Sequence, residues 1–466
     1  MKYKSISLEE QPLFELPQLI MFCILLFSFF LGLSLLVVPW YLVVSIFLVM
    51  VTTAAIFLNL YVALIIFLIG AFFHPTYHFP MLQGLHIARN MSLFIIIIWA
   101  GHSMVYRDLK FPKDVQHLYI AGFLVFVFLA CFKYFDVSFS YFTEFGTKAI
   151  VLYFAIICLL NTRGRVINFV SFLILFSTIS ALIGIYQYIN HIGLYYAQEG
   201  ILRISGPDED ANIFATNLTL SVPIVINVFM GTKRKVIRSV LFSVLTVLVL
   251  TIILTFSRAG MIQLVAGLWL TIGIRMIKKY KALGVIVFLV LFMFMLPFVP
   301  SKYFDRMGTI LNFQDQAIAA RLEGWRLGTT MIADHPIRGI GFAIFRFEFL
   351  KRSVTGIDTH FKRALDAHNV FIHTGAEVGL IGLGFLLLLI RQSFINLKYA
   401  RDKLKRQGDI LLSNIADGLR IGLLIYLIGG IFISYLELLI FWIIIPTSVV
   451  LKHLSDKLEN QQCPEI

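Results

Sequence analysis

Long apolar stretches alternate with short polar connections along most of the chain. Apolar runs fall at about 18–38, 41–58, 60–73, 91–105, 118–134, 148–161, 166–190, 211–230, 239–256, 259–275, 282–299, 367–391, 416–434 and 437–451, and a helix crosses a bilayer core with about 20 such residues. The pattern predicts an all-α fold, a polytopic transmembrane helical bundle of about 12–14 spans. The lower number applies if abutting runs, 41–58 with 60–73 or 416–434 with 437–451, form single tilted or broken helices. From Ser301 to Asp366 the alternation stops and polar residues dominate. Within that span ARLEGWRLGTTMIADHP reads as an amphipathic helix, ended by Pro336 and the glycines of HPIRGIGFAIF. Three regions follow: an N-terminal transmembrane bundle over 1–300, a loop with amphipathic helices over 301–366, and C-terminal transmembrane helices with a tail over 367–466.

Composition agrees with a membrane protein, since 59% of the 466 residues are hydrophobic and 14% charged. The net charge of +13 does not point to nucleic acid, because the Lys/Arg clusters sit between apolar runs, where they set orientation and meet anionic membrane lipids. Cys23, Cys131, Cys158 and Cys463 are scattered without C-x-x-C spacing, which argues against a disulfide framework or structural zinc. The mixed-charge start MKYKSISLEEQ, with no small-residue cleavage site soon after the first apolar run, argues against a cleaved signal peptide.

Basic residues concentrate in alternate connections. One set holds Arg107, Lys110 and Lys113; Arg163 and Arg165; Lys233 to Arg238; Arg275 to Lys281; Lys398 to Arg406; and Lys452 and Lys457. The other set is poor, with Arg89 in 74–90, none in 135–147 and Arg203 in 191–210. The positive-inside rule then places both termini inside, and parity places the 301–366 loop outside. Arg203, the stretch Ser205–Asn212, Arg258, the long loop and His368 are thereby expected on one outer face.

The candidate chemistry lies there. AHNVFIHTGAEVGLIG at 367–382 sets His368 where the chain re-enters an apolar environment, wet enough to titrate and rigid enough to aim; a histidine satisfied in a cap is the plainer alternative. Arg321 opens the loop helix, shares a face with Trp325 and Gly328, and offers a fork suited to phosphate or carboxylate. That helix also fits a solvated surface helix. Arg258, in TFSRAG between two apolar runs, either snorkels to lipid phosphates or faces a ligand. Arg203 precedes Asp208, Asp210 and Asn212 and fits a salt-bridged loop in which Asp210 or Asn212 caps the next helix. Asn369, His373 and Glu377 share one helical face, but no H-E-x-x-H spacing accompanies them, so a metal set is not expected. Glu377 reads as a buried partner for a hydroxyl, histidine or arginine.

Taken together, SRAG at 257–260, ARLEGW at 320–325, HPIRGIGFAIF at 335–345 and AHNVFIHTGAEVGLIG at 367–382 are similar to the O-antigen ligase and polymerase family, and ten residues separate His368 from Gly379 as in the ligases. The likeness runs from about Arg203 to Ile390. It implies glycosyl transfer on the periplasmic face of the bacterial inner membrane, from a glycan on undecaprenyl diphosphate to a sugar hydroxyl. The acceptor is lipid A–core in the ligases and another lipid-linked repeat in the polymerases. It further implies Arg258 and Arg321 as the essential arginines and His368 as the essential histidine. Arg203, Asn369, Trp325 and Glu377 remain as substrate-binding candidates. Two arginines would neutralise a departing diphosphate without metal or cofactor, and imidazole suits deprotonation of a hydroxyl near neutral pH, giving inversion.

A transporter would place ionisable residues near the midplane and repeat its halves; this chain keeps its charges in connections and shows no repeat. A lipid-oligosaccharide flippase would want a charged central cavity. The charge asymmetry predicts that a cysteine introduced within 301–366 reacts with a membrane-impermeant thiol reagent in spheroplasts, whereas one within 231–238 does not. Reversed labelling would remove the common outer face.

Overall fold

In hydrocarbon every backbone N–H and C=O must find its partner within the protein, which leaves helices as the spanning element. The computed structural model describes residues 60–73, 111–192, 194–196, 201–208, 210–281, 316–355, 364–434 and 438–462, with a few single positions besides. The expected spans at 18–38, 41–58, 91–105 and 282–299 lie outside these stretches. The chain divides into two units, Met1–Ala63 and Leu64–Ile466.

The helices are α1 (Leu60–Phe73), α2 (Gln116–Ala130), α3 (Phe135–Leu159), α4 (Arg163–Ile189), α5 (Ala211–Gly231), α6 (Lys235–Leu254), α7 (Arg258–Leu268), α8 (Ile274–Tyr280), α9 (Gln316–Asp334), α10 (Phe345–Thr355), α11 (Val370–Arg406), α12 (Ile410–Gly430) and α13 (Leu439–Gln462). A two-stranded antiparallel ribbon, β1 (Leu194–Tyr196) with β2 (Ile201–Arg203), joins α4 to α5. Among the described residues, eight helical stretches are long and apolar enough to cross a membrane. The protein is thus an all-α polytopic bundle with one small ribbon.

One of those stretches, Gln116–Leu159, folds back on itself. A 3-10 turn over Cys131–Tyr134 reverses the chain, so that Phe123 meets Phe145 and His117 Nδ1 lies 2.9 Å from the Tyr153 hydroxyl. Residues 135–147, expected as a connection, instead form the first half of α3. Their polar side chains serve the helix: Thr147 donates to the Thr143 carbonyl at 2.6 Å, and Lys148 pairs with Glu144 at 2.9 Å.

Helix α11 is central, packing against α2, α12 and α13, while α12 packs against α5. A buried amide knits three of these elements. Gln116 donates to the Ile445 carbonyl at 2.8 Å, and its oxygen accepts from Ser393, Asn396 and Ser448. At the end where α11 finishes, Asp417 accepts from Arg275, Arg401 and Arg420 at 2.8, 3.2 and 2.8 Å, tying α8, α11 and α12. Arg163 pairs with Asp409 and Lys452 with Asp114 at the same end. The basic connections therefore gather together, and the start of α11 lies at the other end.

Helix α11 breaks at Gly379, whose φ of 80° and ψ of 173° are outside helical space. The break frees the carbonyls of Ala376 and Glu377 and the N–H of Leu380. The segment after α9 takes up all three: Ile340 donates to Ala376 at 2.8 Å, Gly341 to Glu377 at 3.2 Å, and Leu380 to Pro336 at 2.7 Å. Gly379 and Gly339 have no room for a side chain, since an added Cβ would stand 2.3 Å from the Ile337 carbonyl and 2.2 Å from the Glu377 carbonyl. Below this seam Leu327, Met331, Ile340, Phe345, Phe349, Ala367 and Ala376 form a buried apolar cluster.

Gly379→Ala forces a side chain into a conformation reserved for glycine, which costs on the order of 1–3 kcal/mol before any clash. We expect a lower thermal midpoint in detergent and loss of the folded fraction; an unchanged midpoint would show that the break is not held by this backbone.

Candidate functional site

The site is assembled at the head of α11 from four parts of the chain. Asn369 caps the helix, its Oδ1 accepting from the N–H groups of Phe371 and Ile372 at 3.0 and 3.1 Å. His368 immediately precedes it with φ of 46°, in the left-handed region that histidine seldom adopts. Its side chain is half-buried, so the cap belongs to Asn369 and the imidazole is left to point elsewhere.

Helix α9 lies against this segment through residues that lack side chains. A Cβ on Gly324 would stand 2.8 Å from the Asp366 carbonyl, and one on Gly328 would stand 2.4 Å from the Ile372 side chain. The same face buries Ala320, Leu327 and Met331, while Leu322 and Arg326 on the other face are exposed. Arg321, one turn before Gly324, thereby brings its charge to bear on His368. The Trp325 Nε1 atom is buried with no hydrogen-bond partner among the described residues, a desolvated donor that calls for an acceptor.

Helix α10 supplies the third part. Arg346 forks onto Asp366, its Nε 2.9 Å from both carboxylate oxygens and its Nη2 also bonded to Oδ2. Arg352 joins α10 to the end of α9 through Asp334 at 2.7 Å. Glu377, 4% exposed, accepts from the Phe345 N–H at 3.0 Å and lies 3.3 Å from His373 Nε2, whose ring stacks on Phe345. Glu377 therefore caps α10 and pairs with histidine, one of the partners its face suggested.

The fourth part is the turn into α5. Asp210 caps that helix, accepting from Asn212 and Ile213, and its charge reaches His368. Two residues on, Asn212 Oδ1 accepts from Arg203 at 2.9 Å and from Ser257 at 2.8 Å. Arg203 also donates to the Thr255 carbonyl at 3.0 Å and is 3% exposed, a strut between the ribbon and the α6–α7 turn. Ser257 caps α7, which places Arg258, 8% exposed, in its first turn. A Cβ on Gly260 would come within 2.6 Å of Ala215 Cβ, so α7 starts flush against α5.

Helices α5, α7 and α11 thus all begin at this end. Their N-termini carry partial positive charge, and Arg258 and Arg321 add to it. Burial is the main influence that lowers the His368 pKa, and the Arg321 charge adds to it; Asp366 and Asp210 oppose the shift, and Arg346 reinforces it. The imidazole is consequently neutral near pH 7 and able to accept a proton. Burial, the largest single influence, pushes the Asp366 carboxyl up, but the Arg346 hydrogen bond and nearby positive charge together outweigh it and hold it below its ordinary value. Among the described residues no group of three or more His, Cys, Asp or Glu is gathered as metal ligands would be.

Of the residues singled out by sequence, His368 and Arg321 share one environment, and Arg258 and Arg203 adjoin it through the Asp210–Asn212 turn. Asn369 and Glu377 are engaged by backbone. Asp366 and Arg346 were not foreseen; Asp366 stands two residues from His368, but nothing in the sequence pairs it with a residue twenty positions earlier.

A helical membrane protein with a basic, histidine-bearing site at one end of its bundle is what this geometry defines. Residues 220–387 match the family model described as O-antigen ligase. The matched stretch contains Arg258, Arg321, Trp325, His368, Asn369 and Glu377. No curated protein matches the chain.

Asn369→Ala removes the cap of α11 and is expected to lower stability by about 1 kcal/mol, read as an earlier thermal midpoint, whereas Asn369→Asp keeps the acceptor and the midpoint. Equal loss in both variants would assign Asn369 another task.

Proposed function

We propose that the protein is an O-antigen ligase of the bacterial inner membrane. It transfers a glycan from undecaprenyl diphosphate to a sugar hydroxyl of lipid A–core, with the site facing the periplasm. The observation that carries this reading is the placement of His368: a half-buried imidazole of lowered proton affinity, fixed at the head of α11 and facing the charge of Arg321.

In the reaction the acceptor hydroxyl attacks the anomeric carbon from the side opposite the diphosphate. His368 takes the hydroxyl proton as the new carbon–oxygen bond forms, and the bond to the diphosphate oxygen breaks. The leaving group departs as an anion beside Arg258 and Arg321, whose guanidinium groups and the helix N-termini neutralise it without a metal. Trp325 donates to a glycan or phosphate oxygen. Arg203, Asn369 and Glu377 act through the framework, holding the segments that carry these groups. Inversion at the anomeric carbon follows from a single displacement.

General-base assistance contributes roughly 10²–10⁴-fold, so His368→Ala lowers turnover by about that factor while donor binding persists. Arg321→Lys loses most activity, because an ammonium does not reproduce the bidentate fork, and Arg258→Ala behaves likewise. Transfer rate and product anomer are measured with purified protein, undecaprenyl-diphosphate glycan and lipid A–core, with and without EDTA. A retained anomer, near-normal turnover of the His368 variant or abolition by EDTA overturns the mechanism, and transfer only onto a second lipid-linked repeat makes the protein a polymerase.

A further inference from the structure

The conformation of His368 is held from a distance. With φ of 46°, this residue sits where a β-carbon is tolerated only when the surroundings enforce it. The enforcing contacts form a closed ring of short links. Glu377 of α11 fixes the first N–H of α10, at Phe345. The next residue, Arg346, grips Asp366 with its fork. The Asp366 carbonyl and Ala367 lie flush on Gly324 of α9. His368 follows, and Asn369 returns the chain into α11.

Arg346 is largely exposed, at 63%, whereas Asp366 is 13% exposed. An ion pair of this kind at a surface contributes little to stability, yet this one has the bidentate geometry that fixes orientation. Its place in the ring gives it a use that stability alone does not explain.

The geometry points to the Arg346–Asp366 pair as a positioning device for His368, holding the 366–368 segment so that the imidazole keeps its aim. This rests on His368 being the general base. Four charges face the imidazole among the described residues: Arg321 from α9, Arg346 from α10, Asp366 from its own segment and Asp210 from the head of α5. Asp366 and Arg346 act on it with opposite sign. A carboxylate favours imidazolium, so its removal lowers the His368 pKa; a guanidinium disfavours imidazolium, so its removal raises it. A base works only when neutral, and the acid limb of the rate profile follows its pKa.

The test is the pH profile of glycan transfer by the full-length purified protein carrying Asp366→Asn, Asp366→Glu or Arg346→Gln. Misplacement of a reacting group by about 1 Å costs roughly 10²-fold. Asp366→Asn should therefore lower kcat by about 10–100-fold with KM for the lipid-linked donor unchanged, and move the acid limb to lower pH. Arg346→Gln should lower kcat and move the limb to higher pH, while Asp366→Glu keeps the charge and recovers part of the rate. A general loss of packing moves both limbs alike or neither. Unshifted limbs with normal kcat overturn the positioning role and leave the general-base reading intact. Full activity of His368→Ala, or a wild type with no acid limb, sinks that reading and this one with it. If Asp366→Asn is not recovered folded, Arg346→Gln, which alters an exposed side chain, decides by the direction of its shift.

Discussion

The break in α11 at Gly379 is the constraint on which the architecture at the site end of the bundle depends. A helix that stops inside the protein exposes backbone groups whose burial without partners costs about 1–3 kcal/mol each. Here the cost is avoided because a second stretch of backbone, Pro336 to Gly341, lies where the missing helical turn would have been. Only glycine at 339 and 379 lets the two backbones approach so closely. The long polar span is therefore hydrogen-bonded into the transmembrane helix, and α9 and α10 inherit fixed positions from that seam. Arg321, Arg346 and Trp325 are placed because Gly379 is broken.

The charges around His368 do two things at once. Arginine and the positive ends of three helices make a region that favours anions. The same positive surroundings, with burial, keep a proton off the imidazole. One distribution of charge thus both attracts anions and disfavours imidazolium. Asp210 and Asp366 limit the effect, and each is itself engaged, Asp210 by the α5 cap and Asp366 by Arg346.

Hydropathy made the helices legible from the sequence wherever an apolar run ended on a charged connection, as at Arg163, Lys235 and Arg406. Local chemistry made the caps legible: Asp210 caps α5, and Pro336 follows the end of α9. Helical spacing put His373 and Glu377 on one face, and the fold chose histidine as the Glu377 partner. Hydropathy failed at 135–147, where the Thr143 and Thr147 hydroxyls bond back to their own helix and so look like loop residues in a sequence. Arg203 has the composition of a ligand-binding residue, but its partners, Thr255 and Asn212, are supplied by the fold. The Arg346–Asp366 link and the break at Gly379 depend on contacts between separate segments, and single-chain periodicity carries no trace of them.

At the opposite end, the knot of arginines on Asp417 has an electrical consequence. Arg275, Arg401 and Arg420 face Asp417, and Arg401 also holds Asp402, so three cations against two anions leave one positive charge. Because the knot spans α8, α11 and α12, removing the Asp417 carboxylate would leave three guanidinium groups facing one another, so one anion holds three helices together against the mutual repulsion of their charges.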